Sequence, residues 1–352
     1  MEEMILSQAM DASPQIFRPW RRFWARMLDW WLYGRLWMVI QILVLNINAA
    51  AKPNTLGTLI IDTVVQIGLL LALEPVFLSR WGTTPGKWIL GLYVTHKSGR
   101  LLTHAEALTR TGQVLSHGMG FGIPIYDLVR LYMSYKTCAA GVRQVWDEDT
   151  AYSLRAENAR QVAVYIGTLL VVLGLVLLAH GHAQLPKHRG ELTPAQFAAN
   201  VNKLNVFQEL LPGYTLQEDG SWQRQIGQNG VIYVGSSPVD FELTLTEGYV
   251  SEVRFAREVR ANQIVGSDAP QMYLAILAFA GAQKDIHAWD TLNPPWLKKL
   301  PAFESFAFDW GRAKVQCTVH YSGYSYNEAL NGLWPVDGVP HDYQLEFVIT
   351  QQ

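Results

Sequence analysis

The sequence predicts an α-helical polytopic membrane bundle followed by a soluble α+β domain with a mostly antiparallel sheet. The first observation is the bulk hydrophobicity: 49% of the 352 residues are hydrophobic, and a mean hydropathy of +0.06 is high for a soluble protein. The second is that nearly all long apolar runs lie within residues 1–180. The third is that residues 184–352 mix polar and apolar positions, as a folded soluble domain does.

Apolar stretches that are long enough to cross a bilayer define the first part of the chain. A spanning helix needs about 20 mainly apolar residues, and we predict spans at 30–51, 56–79 and 161–179. A fourth stretch, 113–135, is interrupted by several glycines and by Pro124. It forms either a kinked span or a helical hairpin that turns at "GFGIP". The predicted parts are a membrane domain (1–160), a final transmembrane helix (161–180), a linker (181–190) and a soluble α+β domain (191–352).

The distribution of Lys and Arg predicts the orientation, because cytoplasmic flanks carry the excess of these residues. Arginines at positions between 18 and 26 precede the first span, which places the N-terminus inside. Basic residues also concentrate within 80–110 and 136–160. A single crossing at 113–135 would put the second of these flanks outside, so we favour the hairpin. The last span then carries the soluble domain out of the cytoplasm.

Capping and turn signals divide the soluble domain into elements. Thr193 and Gly213 mark the start and the end of one helix, and Asp268 precedes another over about 269–281. Two hairpins are predicted, one turning at Glu247-Gly248 and the other at "DWGR". Two strands each have one apolar face, which is formed by Val315, Cys317, Val319 and Tyr321 in one strand and by Tyr343, Leu345, Phe347 and Ile349 in the other. The helices are expected to cover these faces.

The stretch "WGTTPGKWILGLYV" raises the question of a phosphate-binding loop. A P-loop needs four residues between its glycines and a Ser or Thr after the Lys. Here three residues separate Gly82 from Gly86, and Trp88 follows Lys87. The spacing therefore excludes this type of nucleotide site.

Without a nucleotide, the same loop has two interpretations. It is either a structural turn at the membrane boundary, with Lys87 near the lipid headgroups, or part of a polar site that Lys87 lines. The residues that follow, "KWILGLYVTHKSGRLL", are predicted to form a short hairpin that turns at Ser98-Gly99 on the cytoplasmic face.

Four segments together resemble a known family. They are "RRFWARMLDWW", "LEPVFLSRWGTTPGKWILGLYV", "GMGFGIPIYDLVRLYMSYKT" and "RQVWDED". Over about residues 15–155, this ensemble resembles the RDD family of prokaryotic membrane proteins, which is named for one Arg and two Asp residues. The resemblance implies that the Arg corresponds to Arg22, or alternatively to Arg21, and that the two Asp correspond to Asp29 and Asp147. It also implies a location in the cytoplasmic (inner) membrane of a prokaryote and, loosely, a role in transport.

Ionisable residues in or beside the spans are the candidate functional residues, because charges in a membrane are costly and require partners. At about 1.5 Å per residue, Asp29 and Glu74 both fall near the cytoplasmic ends of their spans. Arg22, Arg26 and Lys87 belong to the same depth, so these groups are predicted to form one polar cluster. The cluster either locks the helix ends together, which we favour, or carries a function.

Three further charges lie within the predicted spans. Asp62 is near the outer end of the second span, one helical turn from Gln66, with no cation near it in sequence. A proton or cation path through Asp62 toward Glu74 is one interpretation, but not the one we favour. Asp127 and Arg130 are three residues apart on one helix face, which predicts a local ion pair.

Several function classes are disfavoured. The net charge of −2 and the absence of a basic stripe argue against a nucleic-acid partner. His180, His182 and His188 lack the spacing of a metal site. No Ser/His/Asp or Cys/His arrangement stands out, so we expect no enzyme activity, no cofactor and no metal.

Two functions remain. The first is a small transporter or cation/proton exchanger, which would need self-association because four or five helices make a thin transporter. The second is a non-catalytic envelope scaffold or assembly protein whose outer domain binds a partner. The lipid bilayer is a partner in both. The segment "HYSGYSYNEALNGLW" in the soluble domain forms either a sugar- or peptide-binding patch or a packing surface through Tyr321, Tyr324, Tyr326 and Trp334.

Overall fold

The computed structural model describes residues 16–49, 52–53, 55–154, 160–224, 237–260, 262–300, 303–328 and 331–352. The chain divides into two compact units. The first unit holds the residues up to Ile40 together with Pro53–Val176, and the second holds Gln41–Lys52 together with Leu177–Gln352.

Helices form most of the first unit. They are α1 (Pro19–Leu43), α2 (Leu56–Trp81), α3 (Pro85–Ile89), α4 (His104–Gln113), α5 (Pro124–Ala139) and α6 (Arg160–Gln184), the last of which extends into the second unit. Among the described residues, α2 and α6 are the helices long and apolar enough to cross a membrane. Both agree with predicted spans.

Helix α1 differs from the span predicted at 30–51. It begins at Pro19 and ends at Leu43, and Asn46 then takes a left-handed backbone conformation with φ of 54°. The arginine- and tryptophan-rich stretch before residue 30 is therefore part of the helix. Because of the charges in that stretch, α1 is not among the described helices that are long and apolar enough to cross a membrane, as α2 and α6 are.

The "WGTTPGK" loop joins α2 to α3. Gly82 ends α2 with φ of 64°, and its N–H donates to the carbonyl of Leu78 at 3.0 Å. Glycine adopts this left-handed conformation readily, because it has no Cβ. Thr84 then caps the start of α3, with Pro85 in the first turn, a position where the missing N–H of proline has no cost.

The strand after this loop pairs with a distant partner. Strand β1 (Leu92–His96) pairs antiparallel with β2 (Thr150–Leu154), with Val94 opposite Tyr152. The predicted hairpin at Ser98-Gly99 was therefore wrong. The tight turn does form, but a capping box between Thr103 and Glu106 starts α4 directly after it, so no returning strand follows.

The stretch 113–135 is broken in the middle. A π-helical turn over Val114–Gly118 leads into a 3-10 turn over Gly120–Gly122, where Phe121 has φ of 58°. Further along, Arg130 Nε reaches back to the carbonyl of His117 at 2.7 Å. The stretch is therefore not one straight helix, and the chain bends at "GFGIP".

Strands dominate the second unit. The main sheet has five antiparallel strands in the order β5 (Glu242–Thr246), β6 (Tyr249–Val259), β12 (Asp342–Gln351), β9 (Ala313–Ser322) and β8 (Phe306–Trp310). A three-stranded sheet has the order β10 (Tyr324–Asn327), β11 (Gly332–Pro335) and β7 (Val265–Gly266), and β3 (Tyr214–Leu216) pairs with β4 (Trp222–Arg224). The predicted antiparallel sheet domain is confirmed.

Two helices pack on the apolar face of the main sheet. Helix α7 (Pro194–Gln208) begins at the predicted cap Thr193 but ends before Gly213, since Glu209 already takes the left-handed conformation. Helix α8 (Ala269–Phe279) is almost entirely buried. A short helix, α9 (Ala288–Leu292), follows. The helices and the sheet enclose one hydrophobic core.

The predicted apolar faces of β9 and β12 are buried with one exception. Tyr343, Leu345, Phe347 and Ile349 are at most 3% exposed, as are Val315 and Cys317, and Val319 is 9% exposed. Tyr321 is 43% exposed, although it lies on the predicted face, opposite the buried Tyr343. It lies near the end of β9, beyond the part of the strand that the helices cover.

Residues 181–190, predicted as a linker, make specific contacts within the second unit. The first four belong to α6, and Thr291 Oγ1 donates to the carbonyl of Gly181 at 2.8 Å. Lys203 Nζ donates to the carbonyl of Leu185 at 2.7 Å, and the N–H of Gly190 donates to the carbonyl of Ala282 at 2.8 Å.

Candidate functional site

Seven charged side chains of the first unit converge into one group, which we call the buried charge cluster. Its members are Arg22, Arg26, Asp29, Glu74, Lys87, Arg110 and Asp147. Arg22, Arg26 and Asp29 are spaced so that they share one face of α1. Glu74 comes from α2, Lys87 from α3 and Arg110 from α4, and Asp147 precedes β2. Apart from Arg22, whose side chain is 11% exposed, every member is less than a tenth exposed.

Asp29 is held by the loop that the sequence singled out. Its two carboxylate oxygens accept hydrogen bonds from Thr84 Oγ1 at 2.5 Å and from the N–H of Gly86 at 2.7 Å. Lys87 Nζ lies 3.7 Å from the same carboxylate. The "GTTPGK" loop thus uses its backbone and hydroxyl donors as an anion-binding loop does, and the anion is a side chain of the same protein.

Glu74 is the most strongly paired member. Arg26 donates to both of its carboxylate oxygens, one of them at 2.9 Å, in the forked geometry that makes such pairs strong. Lys87 Nζ also donates to Glu74 Oε1, at 3.0 Å. Lys87 is only 2% exposed, so its ammonium is enclosed by the protein and lines this polar cluster.

Asp147 joins two arginines that are far apart in sequence. Arg22 donates to one carboxylate oxygen, and Arg110 Nη2 donates to the other at 3.0 Å. Thr150 Oγ1 lies 3.3 Å from that second oxygen. Because Arg110 precedes the broken 113–135 stretch and Asp147 follows it, this pair brings the two flanks of that stretch together.

Tyr152 on β2 lies against the same arginines. Its hydroxyl accepts a hydrogen bond from Arg110 Nη2 at 3.0 Å, and the Arg22 guanidinium sits 4.0 Å from the ring centroid. Burial by itself raises the pKa of the Tyr152 phenol, but the positive charges of Arg110 and Arg22 outweigh it, so that the pKa lies below its ordinary value.

Every carboxylate oxygen of the buried charge cluster therefore accepts at least one hydrogen bond. Buried carboxylates need such partners, because an isolated charge in a poorly solvated place is very costly. The arrangement ties α1, α2, α3, α4 and the segment before β2 to one another. Chemically, it holds fixed charges in place and leaves no bare carboxylate oxygen.

The other candidate residues lie apart from the cluster's contacts. Asp62 Oδ1 accepts a hydrogen bond from Trp37 Nε1 at 2.8 Å. Asp127 and Arg130, both in the described part of the chain, do not form the predicted ion pair, because Arg130 turns back to the carbonyl of His117. The oxygen Asp127 Oδ1 is buried and has no hydrogen-bond partner among the described residues.

Three residues that contact the cluster's carboxylates or arginines were not singled out from the sequence. Arg110 lies within the basic flank at 80–110, Thr84 lies within the predicted turn, and Tyr152 was not named. A capping signal, Thr followed by Pro, marked Thr84. No signal in the sequence placed Arg110 or Tyr152 beside Asp147, since that contact depends on the turn at "GFGIP" and on the pairing of β1 with β2.

The aromatic group of the second unit is split by the structure. Tyr324 is 9% exposed, whereas Tyr321, Tyr326 and Trp334 are between 38% and 47% exposed. Tyr324 lies against His341, and Tyr326 against Phe303. Part of the group therefore packs inside the unit, and part is open to solvent or to a partner.

The RDD family model matches residues 18–184, so the resemblance is confirmed, and it extends over the final apolar helix, which the sequence reasoning had left outside it. No curated protein and no solved structure matches the chain.

Proposed function

Starting from the RDD domain over residues 18–184, we propose that this membrane protein is a non-catalytic envelope scaffold. The RDD domain is a rigid anchor in the cytoplasmic membrane of a prokaryote, and the C-terminal α+β domain binds an envelope partner outside the cytoplasm. One observation carries the proposal: every carboxylate oxygen of the buried charge cluster is engaged by a donor of the protein itself.

The paired state of the carboxylates supports an anchor over a cation exchanger. A transported cation must replace existing partners of the carboxylate that binds it. At Glu74 these partners are the fork of Arg26 and the ammonium of Lys87, which would be left buried and unpaired at a cost of about 3–5 kcal/mol. A rigid anchor needs only that these contacts persist.

The charge distribution supports the orientation. The flanks at 80–110 and 136–160 are rich in Lys and Arg, which favours the cytoplasmic side. The ion pair between Arg110 and Asp147 joins these two flanks, in agreement with a hairpin that leaves and re-enters on the same side. Helix α6 would then cross outward and place the second unit in the periplasm.

Exposed aromatic side chains support a binding role for the second unit. Tyr321, Tyr326 and Trp334 are each more than a third exposed. Tyr and Trp are enriched at protein interfaces, where a large apolar body and a polar tip are both useful. The occupant of this surface would be an envelope protein or a second copy of the chain.

A cation or proton exchanger is the second candidate, because Asp29 and Glu74 are fully buried carboxylates on helices of the RDD domain and such groups mark ion pathways in many transporters. Ion flux in proteoliposomes separates the two functions. The scaffold predicts no proton or sodium flux above that of empty vesicles. Flux that disappears in Asp62→Asn or Glu74→Gln, with both variants folded, would establish the exchanger.

The scaffold itself is tested by crosslinking in cells. A photoreactive amino acid in place of Tyr326 should capture a discrete envelope partner or a second copy of the chain, whereas the same group at Val206, which is 66% exposed on α7, should not. An alkaline phosphatase fusion after Gln352 should be active. An inactive phosphatase, or equal labelling from both positions, would contradict the proposal.

A further inference from the structure

The buried charge cluster contains one more cation than it has carboxylates. Asp29 and Glu74 are matched by Lys87 and Arg26. The third carboxylate, Asp147, faces two guanidinium groups, those of Arg22 and Arg110. The excess positive charge therefore lies around Asp147, at one end of the cluster.

Unused donors occur at the same end. Arg110 uses only Nη2, which donates to Asp147 and to the hydroxyl of Tyr152, both at 3.0 Å. Its Nε and Nη1 are buried and have no acceptor within the described ranges of the chain. A buried donor without an acceptor is unfavourable, because it has lost its hydrogen bonds to water and has gained none in the protein. Charge and hydrogen bonding thus both show that this end is short of negative groups.

A cavity of about 530 Å³ adjoins this end of the cluster, within the range of roughly 300–1,000 Å³ that is common for ligand pockets. Arg22, Arg26 and Tyr152 line it, and Arg110 lies behind them, bonded to Asp147 and Tyr152. Of the cluster's charges, Arg22 has the most exposed side chain. The excess charge is therefore accessible from the cavity.

The other walls of the cavity are mostly apolar. They include Trp20 and Phe23 of α1 and Leu128, Leu131 and Tyr132 of α5. Trp20, Leu128 and Tyr132 are 60%, 71% and 60% exposed, so the wall continues into an apolar outer surface. A ligand that fits this cavity has a negative group at one end and a hydrocarbon part at the other.

We propose that the cavity binds an anionic lipid of the surrounding membrane, with its phosphodiester group against Arg22 and the start of an acyl chain between α1 and α5. One phosphodiester charge cancels the one excess positive charge. The forked guanidinium of Arg22 matches phosphate oxygens in shape, and the apolar walls accept the hydrocarbon that a free anion lacks. Anionic lipids are also attracted to basic flanks such as those of this domain.

Lipid titration of the full-length protein in a neutral detergent, followed by native mass spectrometry, tests the proposal. Wild-type protein should bind one phosphatidylglycerol per chain. Phosphatidylcholine, palmitate and inorganic phosphate should each bind at least tenfold more weakly. In Arg22→Gln, three cations face three carboxylates, so this variant should fold and should bind phosphatidylglycerol at least tenfold more weakly than wild type. Arg22→Lys should lie between the two.

A matched pair of variants tests the cavity without changing any charge. Ser134→Phe narrows the cavity, which Ser134 lines, and should also weaken phosphatidylglycerol binding at least tenfold. Ile125→Phe adds the same ring on the same helix at a position that is 82% exposed, and should bind as wild type does. This pair decides the matter if Arg22→Gln does not fold.

Three results would each overturn the proposal. The first is equal affinity for phosphatidylglycerol and phosphatidylcholine, which would remove the argument from net charge. The second is binding of inorganic phosphate or palmitate as tight as that of phosphatidylglycerol. The third is unchanged affinity in a folded Arg22→Gln or in Ser134→Phe.

Discussion

At the scale of single residues, Gly86 sets how closely the "GTTPGK" loop approaches α1. Its N–H donates to Asp29, and a Cβ at this position would lie 2.2 Å from the carbonyl oxygen of Ala25. Real Cβ atoms do not approach backbone oxygen so closely, so the loop reaches the carboxylate only because residue 86 lacks a side chain.

Gly86→Ala should therefore destabilise the protein by about 1–3 kcal/mol, the usual cost of forcing an extra methyl group into a packed site. Gly112→Ala is the matched control, because nothing lies within 4 Å of a Cβ at that helical position. The control should be neutral or stabilising by up to about 1 kcal/mol, since alanine favours a helix. Thermal unfolding in mild detergent measures both. Equal unfolding temperatures for the two variants would contradict the close approach.

Asp29→Asn should lower the folded yield and destabilise the protein by about 3 kcal/mol, because it removes a buried partner of Lys87. Asp62→Asn serves as the control, since Asp62 lies outside the cluster's ion pairs and bonds to Trp37. Size-exclusion chromatography and thermal unfolding report the outcome. Normal yield and stability for Asp29→Asn would show that the cluster does not hold the helices together.

Most residues of the buried charge cluster could be predicted from the sequence, but the hydrogen bonds and ion pairs among them could not. Arg22, Arg26, Asp29, Glu74 and Lys87 were grouped by depth, because charges near the ends of apolar helices can be counted along the chain. Hydrogen-bond partners cannot be counted in this way. The donation from Thr84 to Asp29 depends on how the loop between α2 and α3 packs against α1.

At the scale of elements, the pairing of β1 with β2 joins segments that lie more than fifty residues apart, with Tyr93 opposite Ser153. A local hairpin was predicted instead, since Ser98-Gly99 is a good turn and the alternating pattern of β1 does not identify its partner. The capping box at Thr103 was the competing signal, and helix formation took precedence over a second local strand.

Two pairs of introduced cysteines distinguish the pairing of β1 with β2 from the local hairpin. In a background with Cys138 and Cys317 changed to Ala, Tyr93→Cys with Ser153→Cys should form a disulfide on mild oxidation, since the two positions face each other. Tyr93→Cys with His104→Cys, which a local hairpin would bring together, should stay reduced. Mass spectrometry of alkylated thiols gives the answer. A disulfide in the second pair but not in the first would instead support the local hairpin.

At the scale of the whole molecule, the second unit begins before the soluble domain that the sequence predicted at 191–352. The sequence marked its helices and hairpins well, because caps and turns are local signals. Residues 181–190 read as a polar linker, since nothing local shows that Lys203 and Thr291 bond to their backbone. Such contacts depend on the tertiary fold.

A fragment over residues 177–352 should therefore be more stable than one over 190–352. The shorter fragment lacks the backbone acceptors of Lys203 and loses the buried side chain of Leu185, whose burial alone is worth about 1.5–3 kcal/mol. Urea unfolding of both fragments measures the difference. Identical midpoints and slopes would mean that residues 177–189 contribute nothing to this fold.

The ion pair between Arg22 and Asp147 also has a consequence in time. The two residues are separated by 125 positions, and a ribosome adds about 5–20 residues per second. Arg22 is thus made about 6–25 seconds before its partner exists. During that interval α1 carries an arginine without the carboxylate that it needs in a poorly solvated place. Full docking of α1 must therefore be a late event in biosynthesis, and a nascent chain halted before residue 147 should leave Arg22 open to solvent.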